Sequence, residues 1–206
     1  MDHPPLVESS AERLYRLLLL DPRAAWTQKD LAARAGCSRG YVSRVIGSLT
    51  SAGVVARPYR NRVVLASPAK LLTLWAGRRS LPPPTYVATK RSLEQTEASL
   101  ADRPGVALTL FRAAWHRTKF MRTASLEAYV LSTELSFAVR RLGAPSAEPT
   151  SVALYPAEGA ELEGLERLDG LPLVSLPQNF VDLMATGGQG PRVAFHLARA
   201  HGLLGD

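Results

Sequence analysis

The sequence has one cysteine, few aromatic residues and no long apolar segment. Cys37 is the only cysteine among the 206 residues, so an internal disulfide is excluded and a reducing compartment is expected. The longest uniform leucine run, residues 17–20, is far shorter than the roughly 20 apolar residues needed to cross a bilayer. The N-terminus lacks the positive-then-apolar layout of a signal peptide. We therefore expect a cytoplasmic protein with no membrane segment.

Patterns typical of catalysis, metal binding and cofactor binding are also missing. The four histidines are scattered, and His196 and His201 are five positions apart, on different faces of a predicted helix. No nucleophile stands at a familiar spacing from a base. The glycine-rich loop at 187–191 lacks the lysine and the Ser/Thr of a phosphate loop, so it is predicted to be a plain connection between helices. The sequence predicts no enzyme, no metal and no cofactor.

Acidic residues are scarce in the N-terminal part of the chain. Residues 1–80 contain 13 Lys/Arg against 5 Asp/Glu, whereas residues 81–206 contain 12 against 13. A basic segment joined to a neutral one is typical of a nucleic-acid-binding module attached to a second domain. A membrane surface fits this charge less well, because the arginines do not lie along one amphipathic helix.

Residues 27–51 predict two helices joined by a tight turn. Thr27 suits the start of the first helix, because its hydroxyl can accept a bond from a backbone N–H one turn on, and the side chain of Asp30 can bond back to Thr27. Gly36 ends that helix, because a residue without a β-carbon adopts the left-handed conformation cheaply, and Ser38 can cap the next helix. The second helix has a buried stripe at spacings of three and four, formed by Val42, Val45, Ile46 and Leu49. Such a pair crosses at a steep angle.

The opposite face of the second helix is short, polar and cationic. Gly40 and Gly47 lie on this face, and each costs roughly 1 kcal/mol of helix stability relative to alanine. Glycine at both positions favours the interpretation that the helix backbone must lie close to the wall of a nucleic-acid groove. Arg44 is predicted to read base edges, and Arg39 to contact bases or phosphates. The alternative for either arginine alone is an ordinary solvated charge.

A hairpin follows, with short strands at 54–55 and 63–65 and a turn permitted by Asn61. Its tip, residues 57–62, contains three arginines. Helix, turn, helix and basic hairpin in this order predict a winged helix-turn-helix that binds double-stranded DNA. The predicted DNA-contacting residues are Gln28, Ser38, Arg39, Gly40, Tyr41, Ser43, Arg44, Gly47, Ser48, Arg57, Arg60, Asn61 and Arg62.

The proline-rich segment 78–85 is predicted to be a linker between a DNA-binding domain at 1–77 and a second domain at 86–206. In the second domain we expect helices at 93–100, 126–142, 178–184 and 192–204 and strands at 106–111, 150–155 and 171–176. The predicted fold class is α+β, an N-terminal winged helix-turn-helix domain plus a C-terminal mixed α/β domain.

A basic segment of the second domain supports two hypotheses. Arg112, Arg117, Lys119 and Arg122 alternate with aromatic residues and would form a second nucleic-acid surface. The favoured alternative is a helix with its aromatic residues in the core and its charges in water.

The C-terminal half resembles the AbiEi-type antitoxin family. The resemblance lies in residues 169–183 (DGLPLVSLPQNFVDL), in residues 187–191 (GGQGP) with the helix after them, and in residues 129–138 (YVLSTELSFA). Ser132, Thr133 and Glu134 stand where that family shows Thr-Gly.

The resemblance implies a bacterial, autorepressing regulator that binds repeats in its own promoter. It further implies a genetic partner, a nucleotidyltransferase-like toxin, countered in the type IV manner without a stable protein complex. The alternatives are a stand-alone winged-helix regulator and a protein-interaction module whose C-terminal domain binds a partner or ligand. Nothing in the sequence specifies the oligomeric state.

Overall fold

The computed structural model describes residues 10–59 and 61–204. These residues divide into two compact units, an N-terminal unit of residues 10–78 together with residues 202–204, and a C-terminal unit that spans residues 79–201. The predicted α+β class is confirmed. The domain boundaries at 1–77, 78–85 and 86–206 stay predictions.

The N-terminal unit contains four helices and a two-stranded antiparallel hairpin. The helices are α1 (Ser10–Leu20), α2 (Gln28–Ala35), α3 (Arg39–Ser51) and α4 (Pro68–Ala76), and the strands are β1 (Val55–Ala56) and β2 (Val64–Leu65). The core of the unit forms where the apolar sides of the helices meet: Leu14, Leu31, Ile46 and Leu71 are fully buried. Burial of these side chains fixes which face of α3 remains in water.

The local signals for α2 and α3 act as predicted. The Thr27 hydroxyl accepts a bond from the backbone N–H of Asp30 at 3.1 Å and donates to the Asp30 carboxylate at 2.7 Å. Gly36 has φ of 63°, the left-handed conformation expected at the end of α2. Ser38 accepts from the backbone N–H of Tyr41 and so starts α3. The turn between the two helices is therefore encoded locally.

The C-terminal unit is a seven-stranded mixed sheet with helices. Its strands are β3 (Thr85–Ala88), β4 (Val106–Leu108), β5 (Leu126–Leu131), β6 (Ala144–Ser146), β7 (Val152–Ala157), β8 (Glu166–Leu168) and β9 (Leu171–Leu173). Its α-helices are α5 (Leu93–Ala101), α6 (Leu110–Thr118), α7 (Leu135–Leu142), α8 (Leu176–Thr186) and α9 (Gly190–Ala200).

The strand order is β6-β3-β7-β5-β4-β9-β8. The pairs β5–β7 and β4–β9 are parallel, and the other neighbours are antiparallel. One face of the sheet packs against α5 and α7 through Leu100, Val139 and Leu142. Helices α6, α8 and α9 pack against one another.

Several element predictions in this unit are wrong. Residues 126–142, expected to be mostly helical, form β5 followed by α7. Strand β5 is central in the sheet and buried on both faces, and its sequence, apolar except for Glu127, does not distinguish a strand from a helix. The strand expected at 106–111 ends at Leu108, because Leu110 already begins α6. The strand expected at 150–155 runs from Val152 to Ala157, and the strand expected at 171–176 ends at Leu173.

Arg79 and Asp182 form a buried polar network in the C-terminal unit. Their side chains are only 5% and 0% exposed, and Arg79 Nε donates to Asp182 Oδ1 at 2.8 Å. Thr109 and Gln178 also donate to the Asp182 carboxylate, and Arg79 Nη2 donates to the Tyr129 hydroxyl at 2.6 Å. These bonds compensate the desolvation of the ion pair and tie α8 to the sheet.

Candidate nucleic-acid interface

The exposed face of α3 carries the predicted base-reading residues. Val42, Ile46 and Leu49 are buried, and Val45 is half-buried rather than fully inside. Arg39, Gly40, Ser43, Arg44 and Ser48 are exposed, while Tyr41 and Gly47 are half-buried. A β-carbon built on Gly40 or Gly47 would have nothing within 4 Å. Nothing in the N-terminal unit therefore requires glycine at either position.

A cationic depression lies between the start of α2, the start of α3 and the hairpin. It has a volume of about 330 Å³. Its lining residues are Thr27, Gln28, Lys29, Arg39, Arg57, Asn61, Arg62 and Val63. Among the described residues, this lining has four cationic side chains and no acidic one, so its field favours phosphate groups. The structure thus brings five predicted contact residues together: Gln28, Arg39, Arg57, Asn61 and Arg62.

The hairpin is held by the loop before α2. Trp26 and Val63 exchange backbone hydrogen bonds of 2.9 and 2.8 Å. Arg62 Nη1 donates to the carbonyl of Ala25 at 2.9 Å, so part of this guanidinium anchors the hairpin. A guanidinium has five N–H donors, which leaves other donors of Arg62 for a phosphate.

Arg44 is oriented by an aromatic neighbour on its own helix. Its guanidinium carbon lies 5.8 Å from the centre of the Tyr41 ring, within the range of a cation–π contact. This contact restricts the arginine before any ligand binds. A base-reading arginine gains from such restriction because less side-chain entropy is lost on binding.

Two residues of this region were missing from the sequence prediction. Lys29 is exposed and lines the depression, beside the predicted contact Gln28. Tyr59, at the hairpin tip, is 75% exposed. The only available signal for Lys29 was its place in the first turn of α2. Arg60, predicted as a DNA contact, lies outside the described residues.

Comparison with known families gives a match over this part of the chain. Residues 12–74 match the family model of the Crp-like helix-turn-helix domain. This segment is a winged helix-turn-helix domain. The comparisons with curated proteins and with solved structures find no match to the chain. The winged helix-turn-helix domain is consistent with binding of double-stranded DNA, whereas the AbiEi-type resemblance of the C-terminal half stays a prediction.

Cys37 lies in the turn of the winged helix-turn-helix domain and is half-buried. Burial raises the pKa of the Cys37 thiol, against a smaller opposing effect of Arg13. The thiol is therefore protonated at neutral pH, whereas the thiolate is the reactive form.

The predicted second basic surface requires a correction in the C-terminal unit. Arg112 is buried and binds Glu97 through two bonds of 2.5 and 2.8 Å. The Arg117 side chain is 3% exposed and donates to Glu166 and to the carbonyl of Val174. Both arginines are inside because carboxylate and carbonyl acceptors face them from neighbouring elements, which no pattern in the basic segment reveals.

Lys119 and Arg122 are exposed, and a nucleic-acid role for them stays a prediction. The favoured alternative is also wrong in part. Phe120 is 37% exposed rather than in the core, while Arg112 and Arg117 are not in water.

Glu97 is the centre of the buried cluster that holds Arg112. Burial acts to raise the pKa of Glu97, but hydrogen bonds from Arg112 and His116 outweigh it and lower the pKa to about 2. His116 Nε2 lies 2.7 Å from Glu97 Oε1. Burial raises the pKa of nearby Glu127, which accepts bonds from Ser125 and from the backbone N–H of Arg112. These contacts make His116 part of an internal cluster.

Within residues 10–59 and 61–204, no group of three or more His, Cys, Asp and Glu side chains is placed to hold a metal ion. No helix there has the length and apolar character needed to cross a membrane.

Proposed function

We propose that the protein is a sequence-specific transcriptional regulator that binds duplex DNA through α3 and the wing, and that it acts in the cytoplasm without catalysis. The observation that carries this proposal is the cationic depression between α2, α3 and the wing, next to the exposed polar face of α3. Helix α3 would lie in the major groove, with Arg44 on base edges. Arg39, Arg57 and Lys29 would contact phosphates, which set orientation without reading sequence.

The test is binding of the full chain to the DNA upstream of its own gene, measured by fluorescence anisotropy against a scrambled duplex over a salt series. We expect the native duplex to bind more tightly by orders of magnitude. The logarithm of the affinity should fall with the logarithm of the salt concentration by about 0.9 per neutralised phosphate.

Substitution of Arg44 separates base reading from general charge. Arg44→Ala should cost roughly 1 to 3 kcal/mol on the native duplex and little on the scrambled one. Lys70→Ala is a matched control, because Lys70 is an exposed cation of α4 outside the lining of the depression. Equal losses for Arg44→Ala and Lys70→Ala would refute base reading by α3. Binding to a protein partner that does not need these arginines would favour an interaction module instead.

We further propose an autorepressing antitoxin of type IV as the specific role. The support is the resemblance in residues 129–138 and 169–191. Expression of the neighbouring gene alone should then arrest growth, and co-expression of this chain should relieve the arrest without a stable complex in co-purification. A neighbouring gene that is harmless when expressed would refute this role and leave a stand-alone regulator.

A further inference from the structure

Helix α9 presents exposed cations and aromatic rings on one face. At 100° per residue, Arg192, Phe195, His196 and Arg199 fall within an arc of about 100°. The opposite side is formed by the buried residues Val193, Ala194, Leu197 and Ala198. Arg192 and Arg199 are exposed, and Phe195 is 46% exposed, although leaving a phenylalanine in water costs hydrophobic free energy.

The segment after α6 extends this face. The ring of Phe120 stacks on His196, with the ring centres 3.8 Å apart and the planes at 12°. The guanidinium of Arg192 lies 5.5 Å from the centre of Phe120. We use the name α9 surface for the set Phe120, Arg192, Phe195, His196 and Arg199. Aromatic contacts therefore join two distant parts of the sequence into one continuous surface.

The charge of the α9 surface has a single sign. Neither residues 110–124 nor residues 183–204 contain an Asp or a Glu. A surface of this kind attracts polyanions, and two copies of it repel each other, which disfavours a dimer formed through this face. A polyanionic partner that covers the whole α9 surface must also contact its exposed aromatic rings.

The spacing of the side chains fits a strand with unpaired bases. Arg192 and Arg199 are two helical turns apart, about 10.5 Å along the axis at 1.5 Å per residue, and Phe195 lies between them. Cation, ring and cation in that order match a phosphate, a stacked base and a second phosphate. In a duplex the base faces are already stacked on one another, so the rings would have no role there. We propose that the α9 surface binds single-stranded nucleic acid, independently of duplex recognition by α3.

The test uses the full chain and labelled single-stranded DNA and RNA of mixed sequence, with affinity measured over a salt series. The double variant Arg192→Ala/Arg199→Ala should lower the salt slope by about 1.4, since each phosphate contact to a single strand contributes about 0.7. The matched control is Arg140→Ala/Arg141→Ala, which removes two exposed arginines of α7 in the same unit. The control should leave the slope unchanged.

Phe195 tests stacking separately from charge. Phe195→Ala should weaken single-strand binding roughly 5- to 100-fold, and Phe195→Trp should retain it, because a larger ring stacks at least as well. The thermal unfolding midpoint of each variant establishes that it is folded. DNA and RNA arms identify which strand is preferred, and either preference supports the proposal.

Other results would overturn it. Absence of single-strand binding by the wild type at low salt, or equal effects of the α9 and α7 double variants, would refute single-strand binding by the α9 surface. If Arg192→Ala/Arg199→Ala lost native-duplex binding and single-strand binding equally, the α9 surface would instead be a contact to the phosphates of duplex DNA. The proposed function fails separately, because Arg44→Ala should leave single-strand binding unchanged.

Discussion

Replacement of Gly47 by alanine should stabilise the free protein and weaken its binding to DNA. Glycine inside a helix costs roughly 0.8 to 1 kcal/mol relative to alanine. A β-carbon at Gly47 or at Gly40 meets no atom within 4 Å, so no steric loss offsets this gain in the free chain. Gly47→Ala should therefore raise the free energy of unfolding by about 1 kcal/mol.

The gain is measurable by thermal unfolding followed by circular dichroism. For a domain of 60 to 100 residues, 1 kcal/mol corresponds to a rise in the unfolding midpoint of about 4 to 8 °C. DNA affinity is measured on the same samples by anisotropy. If α3 lies against a groove wall at Gly47, the added methyl group should cost roughly 1 to 3 kcal/mol of binding, in line with overpacking of a close interface.

A size series separates close approach from a general effect of stability. Leucine has nearly the same helix propensity as alanine, so Gly47→Leu should give a similar midpoint and a larger loss of DNA affinity. Ser136→Ala, at an exposed position of α7 in the C-terminal unit, is the control for stabilisation that does not involve α3. A variant Gly47→Ala that is more stable and binds the native duplex with unchanged affinity would refute close approach as the reason for glycine.

Three further predictions concern groups inside the two units. The pKa of Glu97 in the folded protein, about 2, lies below its usual value of 4.5, so ionised Glu97 stabilises the fold above about pH 4.5 and this stabilisation is lost as the pH falls toward 2. The unfolding midpoint of Glu97→Gln should therefore vary less between pH 4.5 and 2 than that of the wild type. Parallel plots of midpoint against pH for the two proteins would contradict this. Asp182→Ala should cost about 3 to 5 kcal/mol in chemical denaturation, because Arg79 stays buried beside a missing carboxylate; a loss below 1 kcal/mol would argue against the buried pair. Since burial raises the pKa of Cys37, alkylation at pH 8 should be slower in the folded protein than in denaturant, and equal rates would disprove this.

Much of the winged helix-turn-helix domain follows from local sequence signals. Thr27, Gly36 and Ser38 set the ends of α2 and α3 through bonds that span no more than a few residues. The stripe Val42, Ile46 and Leu49 then decides which face of α3 is buried. Contacts of this range depend only on short segments of the sequence, so the exposed face that includes Arg44 could be predicted.

The C-terminal unit was less predictable because its elements are fixed by partners distant in the chain. Strand β5 is a strand because β4 and β7 flank it, one antiparallel and one parallel. The roles of Arg112 and Arg117 likewise depend on Glu97 and Glu166, which lie 15 and 49 positions away. The residue types within the basic segment do not determine whether an arginine there is exposed to water or pairs with a carboxylate.

The sequence by itself determined the helix-turn-helix, the basic wing and the concentration of positive charge in residues 1–80. Helix caps and the 3.6-residue period act within one or two turns, so they operate before any tertiary contact forms. Only the tertiary structure decided which cations are internal and which are exposed, and it alone joined Phe120 to His196 on the α9 surface. The physical reason is that burial and ion pairing depend on residues brought together by the fold, and the periodicity of the sequence does not identify those partners.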